Sequence, residues 1–166
     1  CEAIYDTSKK AIEEGCLPIF LGGDHSISIG TVGGATHHGA CGVIWIDAHA
    51  DFNTPQTSPS GNVHGMALST LLGMGPPGLV NIGRPGAKIP CSNLAIVGLR
   101  DVDEQEKKLV KECGCTVYTM RDVDELGIRE IMDRILLSFY NLPSLHISFD
   151  LDAMETTEAP GVGTPV

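Results

Sequence analysis

A chain of 166 residues is long enough for one ordinary domain with its own core, and 42% hydrophobic with 19% charged residues is the balance of a folded globular protein rather than a disordered one. A formal net charge of −10 argues against nucleic acid or an anionic membrane as partner, since neither would be attracted. No apolar stretch approaches the length of a transmembrane helix.

The opening stretch "CEAIYDTSKKAIEEG" is helix-like, and "LPIFLG" (17–22) reads as a first strand. "SISIGTVGGATHHG" follows it as a helical pattern, then "CGVIWID" (41–47) as a second strand. A long irregular segment rich in Gly, Pro, Ser and Thr runs from Phe52 to about Asn62 and resumes from Gly73 to Asn93. Loops of that length in a compact domain are often functional. The remaining strand runs are "LAIVGL" (94–99), "CTVYTM" (115–120) and "LHISFDLD" (145–152). Between them lie "VDEQEKKLVKECG" and "IREIMDRILLSFYNL", the second with Ile128, Ile131, Met132, Ile135 and Leu136 at helical spacing. Apolar strands separated by amphipathic helices predict βαβ units and a mostly parallel sheet covered on both faces, within one α/β domain over 1–166. The six cysteines are scattered with no C-x-x-C pair, and are read as reduced thiols of a cytoplasmic protein. The chain starts inside a helix-like stretch and stops in a loop-like one, so an internal piece of a longer protein is expected, truncated at both ends.

Three strand runs end in acids or histidine: "FLGGDHS", "WIDAHAD" and "SFDLDA". In an open parallel sheet, ligands bind outside the carboxyl ends of the strands. Asp47, His49 and Asp51 recur at every second position, and Asp150 and Asp152 repeat the spacing. In an extended chain alternate side chains share a face, so carboxylates and imidazole are expected to crowd one sheet edge. Carboxylates packed together in a partly desolvated place protonate or take up a cation. No Lys or Arg lies in the three segments, which leaves a divalent metal as the economical partner. With His25 after the Gly22-Gly23 turn, the inventory is His25, Asp47, His49, Asp51, Asp150 and Asp152. Carboxylate with imidazole and no thiolate favours Mn²⁺ over structural zinc, with Fe²⁺ or Co²⁺ as alternatives. Six such ligands suit two metals with bridging carboxylates, a pair that lowers the pKa of a bridging water and generates hydroxide near neutral pH.

These residues resemble a known family. "GGDHS", "DAHAD" and "SFDLDA…APGVGTP" are similar to the three metal-binding segments of the ureohydrolases, which include arginases, agmatinases, formiminoglutamases and guanidino-acid hydrolases. The resemblance spans about Leu17 to Val166 and implies a three-layer α/β/α fold with a dinuclear manganese site, two Mn²⁺ per subunit. It also implies that His25, Asp47, Asp51 and Asp150 hold one ion, while His49, Asp47, Asp150 and Asp152 hold the other. "DFNTPQTSPSGNVHG" resembles the substrate loop of the arginase branch, in its bacterial type, and "GLRDVDEQE" the segment that meets the α-amino end of arginine. On that resemblance Asn53, Ser60 and Asn62 bind the α-carboxylate of L-arginine. Asp103 and Glu106 face its ammonium, and Thr164 lines the pocket near its guanidinium. Asp51 orients the metal-bridging hydroxide, and His64 shuttles protons. The implied activity is hydrolysis of L-arginine to urea and L-ornithine, in a homo-oligomer of three or six subunits.

Two departures stand out. The family's D-x-D-x-x-D-P reads here "DLDAMETTEAP", with Glu155 and Thr156 in place of Asp-Pro. The family's C-terminal part also carries a glutamate for the substrate guanidinium and the elements that finish the sheet, and no counterpart follows Val166. The competing readings are a ureohydrolase for another guanidino substrate, a single-zinc deacetylase of related fold, and a metal-binding fragment without activity.

Overall fold

The structure is a computed structural model that describes residues 1–164 and 166; Pro165, in the third motif, lies outside the described residues. The chain divides into two compact units, Cys1–Cys41 with Asp51–Pro90, and Gly42–Ala50 with Cys91–Val166.

The first unit holds four helices, α1 (Glu2–Glu13), α2 (Ile27–Ala35), α3 (Ala67–Leu71) and α4 (Pro77–Val80). The α1 helix is amphipathic and buries Tyr5 and Ser8. Nearly all of α2 is buried, and its glycines let α1 come close: a Cβ added at Gly34 would lie 2.6 Å from the Ser8 Cβ. Residues 17–22 correct an expectation. They are not a strand, and Leu17, Ile19 and Leu21 are exposed. An apolar, extended run becomes a strand only when a neighbour pairs with its N–H and C=O groups, and no ladder forms here among the described residues.

The second unit is a four-stranded, wholly parallel sheet of order β3-β2-β1-β4, formed by β1 (Gly42–Ile46), β2 (Leu94–Leu99), β3 (Thr116–Thr119) and β4 (Leu145–Phe149). Three helices complete it, α5 (Glu104–Cys113), α6 (Met120–Leu126) and α7 (Ile128–Ser138). The central strand β2 is buried throughout, as a strand covered on both faces must be. Ile131 and Ile135 of α7, with Phe139, pack on Ile44, Ala95 and Val97. Ile128 and Leu136, predicted on the same apolar stripe, are exposed at its margins.

The predicted α/β class and mostly parallel sheet hold. The expectation of six reduced thiols does not: Cys91 and Cys113 form a disulfide with Cα atoms 5.8 Å apart, while Cys1, Cys16, Cys41 and Cys115 are not disulfide-bonded. The sheet register explains the meeting. Ala95 pairs with Thr116, so the residues just before β2 and β3 are brought side by side although 22 positions separate the cysteines. Among the described residues, no helix is long and apolar enough to cross a membrane.

Ile131→Ala should destabilise the fold by about 2–5 kcal/mol, because a fully buried branched side chain leaves a cavity. Leu137→Ala, on the exposed side of the same helix, should change stability by about 0.5 kcal/mol or less. Urea denaturation of both variants checks this pair.

Candidate metal centre

Beyond Ile46 the chain leaves the strand, and the predicted alternation does not survive it. What places Asp47 and His49 together is an Asx-type turn: Asp47 Oδ1 accepts the His49 N–H at 2.7 Å. The turn recurs after β4, where Asp150 Oδ1 accepts the Asp152 N–H at 3.0 Å and opens a 3₁₀ turn over Leu151–Ala153. Asp51 does not continue a strand face either. It sits at φ +50, outside any extended conformation, and belongs to the first unit. The D-x-H and D-x-D spacings therefore reflect side-chain-to-backbone closure, not strand pleating.

The two turns meet because β1 and β4 are parallel neighbours in register, with Ile46 opposite Phe149. The Asp150 N–H donates to Ile46 O at 2.9 Å, directly beneath the turns. Asp152 Oδ1 accepts the Ala48 N–H at 3.3 Å, and Asp152 Oδ2 lies 3.0 Å from His49 Nδ1. One ligand atom from each of Asp47, His49 and Asp152 lies within 4.8 Å of the others. Asp47 is 1% exposed and Asp152 4%. The two carboxylates raise the pKa of His49 to about 10, chiefly by the hydrogen bond to Asp152 and then by that to Asp47. A proton is thus held where a divalent cation would satisfy the same carboxylates. Hard oxygens with one imidazole, largely buried, are the donor set of a manganese-type site, and these residues fit such an ion.

In the first unit, His25 opens the turn before α2, and its Nδ1 lies 3.1 Å from Asp51 Oδ2. Both are buried. Asp24 Oδ1 accepts the Ser26 N–H at 3.0 Å and also bonds its hydroxyl, which keeps the Asp24 carboxyl below its ordinary pKa. In the irregular loop, Asn53 is buried and its Oδ1 accepts the Thr57 hydroxyl at 2.9 Å. Ser60 and Asn62 are exposed at the loop tip, where Ser60 Oγ accepts the Asn62 N–H. His64 is half-buried at the start of a 3₁₀ turn over His64–Met66.

Asp103 and Glu106 form the capping box of α5, Glu106 Oε2 accepting the Asp103 N–H at 3.3 Å. Glu106 is buried in that role. The Thr164 hydroxyl donates to Asp152 Oδ2 at 3.1 Å, which brings it to the acid cluster. One contributor was missed. Trp45, read from sequence as core, is fully buried yet donates its indole N–H to Asp47 Oδ2 at 3.0 Å. Its two-residue spacing from Asp47, and the need of a buried indole N–H for an acceptor, were the available signals.

A parallel α/β sheet with an acid-imidazole cluster at the carboxyl ends of its strands is an arrangement that could hold a metal ion, of the kind the three motifs suggest. The comparisons with known proteins narrow this. The Arginase family model matches residues 1–166, and the chain belongs to that family. It is 48% identical over 166 residues to the arginase of Bacillus subtilis (strain 168), covering 99% of this chain and 56% of that protein. It is 46% identical to the arginase of Bacillus caldovelox, covering 95% of this chain and 53% of that one. The crystal structure of the B. subtilis arginase superposes with a TM-score of 0.96 at 47% identity, over 99% of this chain and 57% of that chain. The chain therefore spans little more than half the length of the curated relatives it matches.

In the metal-free chain, the His49 imidazole should remain protonated at pH 8, where an ordinary histidine is neutral. The folded state gains from that raised pKa fully below about pH 6.5 and loses the gain as pH rises through about 10. Imidazole ¹⁵N shifts across this range, with denaturation midpoints, check both statements.

Proposed function

We propose that this chain carries the metal-binding part of an arginase-type hydrolase that converts L-arginine and water to L-ornithine and urea. The observation that carries the reading is the buried Asp47–His49–Asp152 cluster, taken with a "SPSGNVHG" loop of the arginase kind. The residues that would hold manganese are those the resemblance implies: His25, Asp47, Asp51 and Asp150 for one ion, and His49, Asp47, Asp150 and Asp152 for the other. When bound, two such ions supply Lewis acidity and lower the pKa of water, which a resonance-stabilised guanidinium carbon requires of its nucleophile.

The protein's own groups do the rest. Asn53, Ser60 and Asn62 offer neutral donors to an α-carboxylate. The Thr57 hydroxyl on Asn53 Oδ1 fixes the orientation of that amide. Asp103, with Glu106 behind it in the helix cap, offers negative charge to an α-ammonium. Asp51 accepts a proton from the attacking water. His64 is half-buried and returns a proton to the departing amine, for which an imidazole is suited near neutral pH. Assembly into three or six subunits, as in the family, belongs to the same proposal. So does a cytoplasmic setting, which the four cysteines outside any disulfide support and the Cys91–Cys113 bond does not.

Manganese content after dialysis, measured together with turnover of arginine and of agmatine, tests the reading. Two ions per chain and preference for arginine are expected; preference for agmatine would remove the carboxylate role of Asn53, Ser60 and Asn62. His49→Ala should lose mainly one ion and Asp47→Ala should disturb both. His64→Ala should keep both ions and lower turnover by about 10²–10⁴-fold.

A further inference from the structure

Arg100 follows β2 directly, next to Asp101 and Asp103, yet its guanidinium makes no ion pair with a carboxylate among the described residues. It reaches instead across the sheet end to three consecutive main-chain carbonyls. Nη1 donates to Ala153 O at 3.1 Å, and Nη2 donates to Asp152 O at 2.6 Å and to Met154 O at 3.3 Å. These are the carbonyls at the end of the short 3₁₀ turn over Leu151–Ala153, which the turn itself leaves without partners. The main chain at the same position holds the other segment. The N–H groups of Arg100 and Asp101 both donate to Ala48 O, at 2.8 and 3.0 Å. One residue thus ties down the turn that carries Asp152 and the turn that carries His49.

We infer that Arg100 is a positioning residue for the His49–Asp152 half of the metal centre, a role that rests on the dinuclear reading above. The chemistry of the contact explains why arginine serves there. A cation bonded to the carboxylates would neutralise them and compete with a metal. Donating to carbonyls fixes the backbone under Asp152 and leaves the carboxylate oxygens to His49, Ala48 N–H and Thr164. A guanidinium stays charged at all working pH values and has donors enough, in a fixed planar fork, for three acceptors; an ammonium on a flexible stem does not reproduce that fork. Metal ligands need placement within about 0.5 Å, which a three-residue 3₁₀ turn does not achieve unaided.

The test uses Arg100→Gln and Arg100→Lys, with manganese binding by equilibrium dialysis and amide hydrogen exchange of the metal-free chain. In Arg100→Gln, affinity for one of two ions should fall about 10–100-fold, the range for loss of a partner that orients metal ligands, with the other ion unaffected. Exchange at the Ala48, Asp152 and Ala153 amides should quicken at least about tenfold while the β2 amides keep their protection. Arg100→Lys should lie between the two. Unchanged exchange at those three amides, or full restoration by lysine, overturns the inference, the second because charge alone would then suffice. If Arg100→Gln loses protection throughout, Arg100→Lys decides by the same two readouts. Should the unaltered chain bind no manganese, the dinuclear reading fails, while the exchange result still judges the tether.

Discussion

Asp47 is the constraint around which the second unit is arranged. A carboxylate with 1% of its surface in contact with solvent is costly unless every oxygen has a partner. Two of its partners come from the chain on either side: the Trp45 indole N–H on Oδ2 and the His49 main-chain N–H on Oδ1. The first requires β1 to be buried deeply enough to hold an indole, and the second requires the strand to stop and turn. A buried strand ending in an Asx-type turn is therefore both the fold's device for accommodating the charge and the site's device for presenting it. The same Asx-type turn at Asp150, on the neighbouring and more exposed parallel strand, brings two further acids, Asp150 and Asp152, to the same end of the sheet.

That arrangement also accounts for the electrostatics. Partners that are N–H groups satisfy the geometry of a carboxylate without cancelling its charge. The remaining negative potential falls on His49, which answers by holding a proton far above its ordinary pKa. The lone pairs that hold this proton are those a multivalent cation would need, so the two would compete for them. Arg100, a cation near the cluster, is spent on carbonyls. The structure thus keeps rigidity and charge separate, with backbone contacts supplying the first and carboxylates the second.

Much of this was legible in the residues. The order of apolar runs gave the parallel sheet, because a strand buried on both faces cannot alternate polar and apolar side chains. The acid-rich strand ends gave the cluster, because the sheet architecture collects those ends on one edge. The reason assigned to the spacing was wrong, however. Asp47 and His49 share a turn, not a pleat, and Asp51 leaves the extended region altogether at φ +50. Side-chain closure onto a backbone N–H and strand alternation both produce a two-residue spacing, and sequence alone does not separate them.

The sequence by itself determined the class of fold, the inventory of candidate ligands and the absence of Lys or Arg from the motif segments, since these depend on residue type and local order. Contacts between residues distant in the chain belonged to the tertiary structure. The β1–β4 register set His49 against Asp152 across about a hundred residues, the β2–β3 register joined Cys91 to Cys113, and the fork of Arg100 found the carbonyls after β4. The run at 17–22 shows the same limit from the other side: it has a strand's composition without a strand's partner. Pairing is a property of two segments, and the free energy that fixes it resides in neither one alone.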